Sequence, residues 1–552
     1  MKHQLSTHVA QNATPTEGVD TGTQCLRGHI VDVVNRRIYD GKIRMRHGVI
    51  AQIDTCSRLP REAPFIVPGF VDAHVHIESS MMLPREFARI ALRHGTVGVV
   101  CDPHEIANVM GMDGIELMLQ NASGHPFHFA FGAPSCVPSC STEIETGGSL
   151  LDSKAVDSLL QREEIVCLSE MMNFPGVLAG DAEEMAKIKA AQKVGKPVDG
   201  HAPGLVGDRR RQYAAAGIST DHECSGLDEA REAIRSGMYV LIREGSAAKN
   251  YRALAPLLAE YPDRVMFCTD DSHPTDLLAG HINRLVSRAL SEGYDLMNIL
   301  QVACVNPVRH YALPIGLLQV GDSADFICLS DLTPSFRVLD TYLAGHRMGF
   351  IPTAPFELNP RYQVCAAQPI TEADLVLPKR VQEHIIVATD GSLLTGHEVC
   401  SDRPVDCQKL VCYNRYTPGA KPAVAYIRGF QIDHGAVAQT IAHDCHNIVA
   451  VGSSDSLLCE VINRVIKLKG GIVVTDGNET VELPLPVAGL LSPASGEELA
   501  AQNTRLAELL KRTGCTMQSP FITLGFMSLP VIPDLKLTDK GLFDGRRFTF
   551  VK

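Results

Sequence analysis

Nowhere in its 552 residues does the chain carry an apolar run of about 18 residues, the length that suggests a membrane-crossing helix. The opening stretch, MKHQLSTHVAQNATPTEGVDTGTQ (1–24), lacks the apolar core of a signal peptide. A cytoplasmic protein without a membrane partner is therefore expected. Positive charge is also short. The chain has 51 Lys and Arg against 63 Asp and Glu, a formal net charge of -12, and so no cationic excess to neutralise phosphates; no nucleic-acid partner is expected. The 17 cysteines show no repeated spacing, which argues for reduced, mostly buried thiols and against a disulfide framework. Cys136 and Cys140 form a C-x3-C pair, but no second Cys/His pair stands at finger spacing to complete a zinc site. No G-x-G-x-x-G follows a strand-like run, and no internal repeat is visible, which argues against a dinucleotide-binding sheet, solenoids and propellers. What remains is small-molecule chemistry on an ordinary globular chain, 45% hydrophobic and 21% charged.

Texture changes along the chain divide it into regions. Residues 25–66 hold short β-rich runs (HIVDVV, KIRMRHGVIAQI) punctuated by turn residues such as Asp40-Gly41, and the same texture returns over 306–354. These two pieces predict one small β domain with the intervening chain inserted into it. Residues 67–305 alternate short apolar runs with amphipathic ones, the pattern of repeated βα units. Candidate strands end at His76, Cys101, Gly132, Glu170, His201, His222, Arg243 and Asp270. Between them lie helix-like stretches such as 181–195, acidic in its first turn and closed by Gly195. Eight units in about 240 residues is the size of a TIM (β/α)8 barrel. Residues 355–552 form a third region of α/β type.

In such a barrel the active-site groups belong at the C-terminal ends of the strands. There the sequence places His74 and His76 (strand 1, VDAHVH), Glu170 (strand 4), His201 (strand 5), His222 (strand 6) and Asp270 (strand 8). Side chains at i and i+2 of a strand share a face, so His74 and His76 can converge on one point. Each of the six alone reads equally well as a satisfied buried polar group. Together on one rim they offer the nitrogen and oxygen donors of a two-metal site, with one carboxylate left to bridge. Two rival motifs fail: HEIAN (104–108) has Asn108 where H-E-x-x-H needs its second histidine, and PSCVPSC lacks both the spacing and the H-x-E of the zinc base deaminases.

The order of these rim groups resembles that of the amidohydrolase superfamily. Glu170 stands where many relatives carry a carboxylated lysine, which points to the Glu-bridged branches. The phrases CDPHEIANVMG, DGHAPGL, AGISTDHE, REGSAAKN and CTDDSHPTDLLAGHIN, together with the C-terminal region, are similar to those of the bacterial adenine deaminase family. That resemblance implies hydrolytic deamination of adenine to hypoxanthine and ammonia, with a metal-bound hydroxide attacking C6 and a free base preferred over adenosine. It implies two divalent metal ions, Mn2+ or Fe2+, with Zn2+ also compatible with the donors. His74 and His76 would hold one metal with Asp270, His201 and His222 the other, and Glu170 would bridge. Asp270 would also carry the proton, its neighbour Asp271 being the competing candidate. His104, Asp271 and His273, on loops at the rim, are candidates for contacts to the purine ring. A homodimer is expected from the resemblance and from oligomer base rates. Two other readings stay open: an amino-sugar deacetylase, with Arg209, Arg210 and Arg211 as a phosphate cluster if they are not simply an exposed helix start, and a non-catalytic barrel.

Overall fold

The H-x-H segment closes a strand, β1 (Phe70–His76), in which all seven residues are buried. The computed structural model describes residues 23–246, 248–349, 355–377, 382–401 and 404–551, so the expected polar segment 1–24 lies, apart from Thr23 and Gln24, outside the described residues. After β1 come β2 (Thr96–Cys101), β3 (His128–Ala133), β4 (Ile165–Met171), β5 (Val198–Gly200), β6 (Thr220–Asp221), β7 (Tyr239–Arg243) and β8 (Val265–Cys268). Their Val- and Ile-rich runs are buried on both faces, as a parallel sheet wrapped by helices demands.

These strands form the barrel. β1 to β5 pair in parallel in chain order, β6 to β8 do likewise, and a parallel bridge between Val198 and Ile218 joins the two runs. Closure comes from Asp270–Asp271, just past β8, which pairs in parallel with β1 at Val75 and His76. The expected helix over 181–195 is Ala182–Lys193; the Asp181 side chain accepts from the backbone N–H of Glu183 and Glu184, satisfying two free donors of the first turn.

Strands Phe326–Leu329, Val338–Leu343 and His346–Arg347 complete one seven-stranded sheet with Thr23–Asp32, Arg37–Arg46, Val49–Thr55 and Phe65–Pro68. The Asp40-Gly41 turn is not there. Both residues lie inside the strand Arg37–Arg46, where Asp40 accepts from His29 Nδ1 at 2.6 Å and from the Leu59 N–H at 2.7 Å. A Cβ at Gly41 would crowd the end of the Ile30 side chain on the neighbouring strand, so glycine suits this close strand contact.

The C-terminal region is built on an eight-stranded, mainly antiparallel sheet, with helices Asp455–Leu468 and Gly496–Arg512 packed against it. It is joined to the barrel: the Gly496 N–H donates to Glu86 Oε1 at 2.6 Å, Arg89 pairs with Glu497, and one hydrophobic core runs through both regions.

Candidate functional site

Five of the eight barrel strands bring the six rim residues together, and five of the six, all but His74, line one pocket. His74 Nε2 and His76 Nε2 face each other at 3.2 Å with their rings edge-on. The His76 Nδ1–H donates to the Asp102 carbonyl at 3.1 Å, which leaves Nε2 as a lone pair pointing inward. Glu170 occupies the centre. Its Oε1 is 3.3 Å from His76 Nε2 and 3.9 Å from His74 Nε2, while its Oε2 is 2.6 Å from His201 Nδ1 and 3.2 Å from His222 Nε2. Asp270 Oδ1 stands 3.1 Å from His76 Nε2. The ligand-type atoms of His74, His76 and Asp270, and those of His74, Glu170 and His222, each cluster within 4.8 Å.

This donor set fits a pair of divalent cations. Two imidazole nitrogens aimed at each other, with carboxylate oxygens beside them and little exposure to water, are satisfied by a shared positive charge and poorly by one another. Burial alone would push the Glu170 carboxyl up; the His201, His222 and His76 rings outweigh it and hold the group well below the usual carboxylate range. Asp270 is likewise held down, burial being overcome by Arg243 and then His76.

Asp270 and Asp271 separate cleanly. Asp270 has φ of 58°, a left-handed conformation that Asp tolerates better than most residues, and this breaks the simple alternation of the strand. Its Oδ2 accepts from Arg243 Nη1 at 2.5 Å, leaving Oδ1 toward the histidines. Asp271 also borders the pocket, but its Oδ1 is taken by the Ser79 hydroxyl. His104 borders the pocket too, its Nδ1 3.1 Å from Asp102 Oδ2 and 3.5 Å from Glu170 Oε1. His273 does not line this pocket; it lines a smaller adjoining one beside Ser79 and Gln439, and its backbone N–H donates to Ser246 Oγ at 2.7 Å.

Several participants had gone unassigned. Arg243 Nη1 also bonds Glu223 Oε1 at 2.5 Å, and Glu223 in turn lies 3.4 Å from His222 Nε2. The C-terminal region adds His443, Asp444, Leu393 and Phe526 to the pocket wall. Glu105, the acid of the failed H-E-x-x-H motif, accepts from His443 Nδ1 at 2.5 Å and from His446 Nε2, bonds that tie barrel to C-terminal region across more than 330 residues. HDCH (443–446), two histidines and an acid in four residues, was the available signal. The expected exposed helix start at Arg209–Arg211 needs correction: Arg210 is fully buried, paired with Asp221 and bonded to the Leu205 carbonyl at 2.8 Å, so the three form no cluster for phosphate. Cys136 and Cys140 are buried free thiols.

A parallel (β/α)8 barrel whose strand ends carry H-x-H, Glu, His, His and Asp around one pocket defines an amidohydrolase, and residues 65–348 match the amidohydrolase family. Residues 387–549 match the adenine deaminase C-terminal domain. The chain belongs to the adenine deaminase family: it is 48% identical to the adenine deaminase of Salinibacter ruber over 544 residues, covering 95% of this chain and 98% of that one. The adenine deaminases of Methanosarcina mazei (46% identity; 95% and 98% covered) and Borreliella burgdorferi (42%; 95% and 99%) are similar over the same extent.

Proposed function

We propose that the chain catalyses the hydrolytic deamination of adenine to hypoxanthine and ammonia, using two divalent cations held at the barrel rim. Glu170 carries the reading: one of its oxygens faces His74 and His76 and the other faces His201 and His222, the disposition a bridging carboxylate needs. His74, His76 and Asp270 would hold one cation and His201 and His222 the other, with Glu170 between. Bound there, the cations lower the pKa of water from 15.7 toward about 7 and so supply a nucleophile at neutral pH. His and carboxylate donors suit Mn2+ or Fe2+, and Zn2+ is compatible.

The remaining chemistry belongs to the chain. Water oxygen adds to C6, the bond from C6 to the exocyclic nitrogen breaks, and ammonia leaves. Asp270 takes the proton of the attacking water and passes it toward the departing amine. Arg243, bonded to the other oxygen of Asp270, fixes that carboxylate in place. Leu393, Phe526, Leu529 and Val531 give the pocket an apolar wall suited to the flat faces of a purine. His104 and Asp271, which border the pocket, are the nearer ring contacts; His273 would act only through the adjoining pocket.

Acting on a free base places the reaction in purine salvage. The setting we propose is cytoplasmic, supported by 17 cysteines that are all free thiols, and the assembly a homodimer. No helix among the described residues is long and apolar enough to cross a membrane. Ammonia release from metal-loaded protein tests the reading: adenine should be turned over and adenosine hardly at all. Comparable turnover of adenosine refutes the free-base preference, and cleavage of an N-acetylated amino sugar with neither purine attacked refutes deamination.

A further inference from the structure

The pocket at the barrel mouth is finished by the C-terminal region, and one carboxylate oxygen there, on Asp444, has no hydrogen-bond partner within the protein. His443 and His446 hold the two oxygens of Glu105, so the segment between them in sequence, which carries Asp444, is anchored at both ends. Asp444 is only 4% exposed, borders the pocket, and its Oδ2 has no hydrogen-bond partner. A buried carboxylate oxygen without a donor is unfavourable by about 1–3 kcal/mol or more, an imbalance that a ligand N–H relieves.

Asp444 and the central carboxylate Glu170 flank the same histidine and line the same pocket. His104 stands between the two: its Nδ1 is 3.5 Å from Glu170 Oε1 and its Nε2 is 3.9 Å from Asp444 Oδ1. One imidazole width therefore separates Asp444 from the carboxylate at the centre of the site. A purine in the pocket that Glu170, His104 and Asp444 all line has C6 and N9 roughly 4 Å apart, with about 3 Å needed for attack at C6 and about 2.8 Å for a hydrogen bond at the far edge.

We infer that Asp444 accepts the N–H of the five-membered ring of the base, so that the C-terminal region, and not the barrel, selects a free base over one substituted at N9. This rests on adenine being the substrate. An N9 substituent would remove the donor, leave the carboxylate buried and unpaired, and clash with it. Sites built around such a polar contact reject analogues lacking it far more strongly than apolar pockets reject an extra methylene. Asp444 with His104 and Glu105 is also a set of cation-ligand types, and the experiment separates that possibility.

The test compares full-length, metal-loaded wild type with Asp444→Ala and Asp444→Asn, using hypoxanthine and 9-methylhypoxanthine as competing ligands. In Asp444→Ala the preference for hypoxanthine should fall at least tenfold, KM for adenine should rise by a similar factor and more than kcat falls, and metal content should match wild type. Asp444→Asn, which keeps shape and one accepting oxygen, should lose at least threefold of the preference, and it decides the matter should the alanine variant not fold. An unchanged preference in the folded variants overturns the inference, as does loss of one equivalent of metal. Wild type that releases no ammonia from adenine refutes the substrate reading; direct calorimetric binding of the two hypoxanthines then still tests Asp444.

Discussion

Replacing Glu105 by Gln should loosen the join between barrel and C-terminal region, and the structure sets the size of the effect. Glu105 is buried, and both its oxygens accept from imidazoles, His443 at 2.5 Å and His446. Burial would raise its carboxyl pKa, yet His443 and His446 outweigh burial and hold it well below the usual range, so the group is an anion between two rings. Glutamine can accept through one oxygen only, and it turns an amide N–H2 toward the other histidine. Breaking one partner out of a buried charged pair costs about 3–5 kcal/mol. With an unfolding entropy of about 2.1 cal/mol/K per residue, a chain of this length would lose roughly 3–4 °C in its calorimetric midpoint if it unfolds as a unit. The exposed Arg211–Asp208 pair gives the control, since Asp208→Asn should shift the midpoint by a small fraction of that. KM for adenine should rise in Glu105→Gln as well, because Asp444 sits on the loosened segment. A midpoint within 0.5 °C of wild type, at matched scan rate and about equal metal content, would refute the clamp.

Glu170→Gln should lower metal content together with turnover, because an amide compensates the repulsion of two cations poorly; full occupancy of both sites by elemental analysis would sink the bridging role. Asp270→Asn should reduce kcat by about 10²–10⁴-fold with little change in adenine binding, and the same loss in Asp271→Asn alone would reverse the assignment. Lys536 offers a pH prediction away from the rim residues. It is buried, donates to the Leu393 and Phe526 carbonyls at 2.6 and 3.0 Å, and burial pushes its ammonium from the ordinary 10.5 down to about 7. The unfolded chain thus keeps a proton that the folded chain releases between those values, so stability should rise with pH across that window, by up to about 1.4 kcal/mol per unit. Lys536→Met should flatten that rise by about 1 °C per unit in the calorimetric midpoint; parallel slopes for variant and wild type would contradict it.

How legible all this was in the sequence depends on the range of the interaction. The i, i+2 spacing of His74 and His76 and the polar ends of the apolar runs are local facts, and the barrel strands end at or within two residues of the expected positions. Local reasoning misled at Asp40-Gly41, whose turn chemistry is overridden by cross-strand packing against Ile30 and by a side-chain bond to His29. It misled again at Arg210, where a run of three arginines suggested solvent but the buried Asp221 claims the middle one. Glu105, His443 and Asp444 were out of reach for a different reason: nothing periodic links residues more than 330 positions apart, and only the docking of the C-terminal region brings them together. Arg243 was visible as a strand end, but its role follows from a left-handed Asp270 that no propensity would have suggested.

The most direct test of the two-cation rim is to strip the protein with a chelator and titrate Mn2+ back while following ammonia release from adenine. Activity should be absent at the start and climb to a plateau at two equivalents per chain. Full activity in the stripped protein, or a plateau at a single equivalent, would contradict the assignment of His74, His76, Glu170, His201, His222 and Asp270 to one binuclear site.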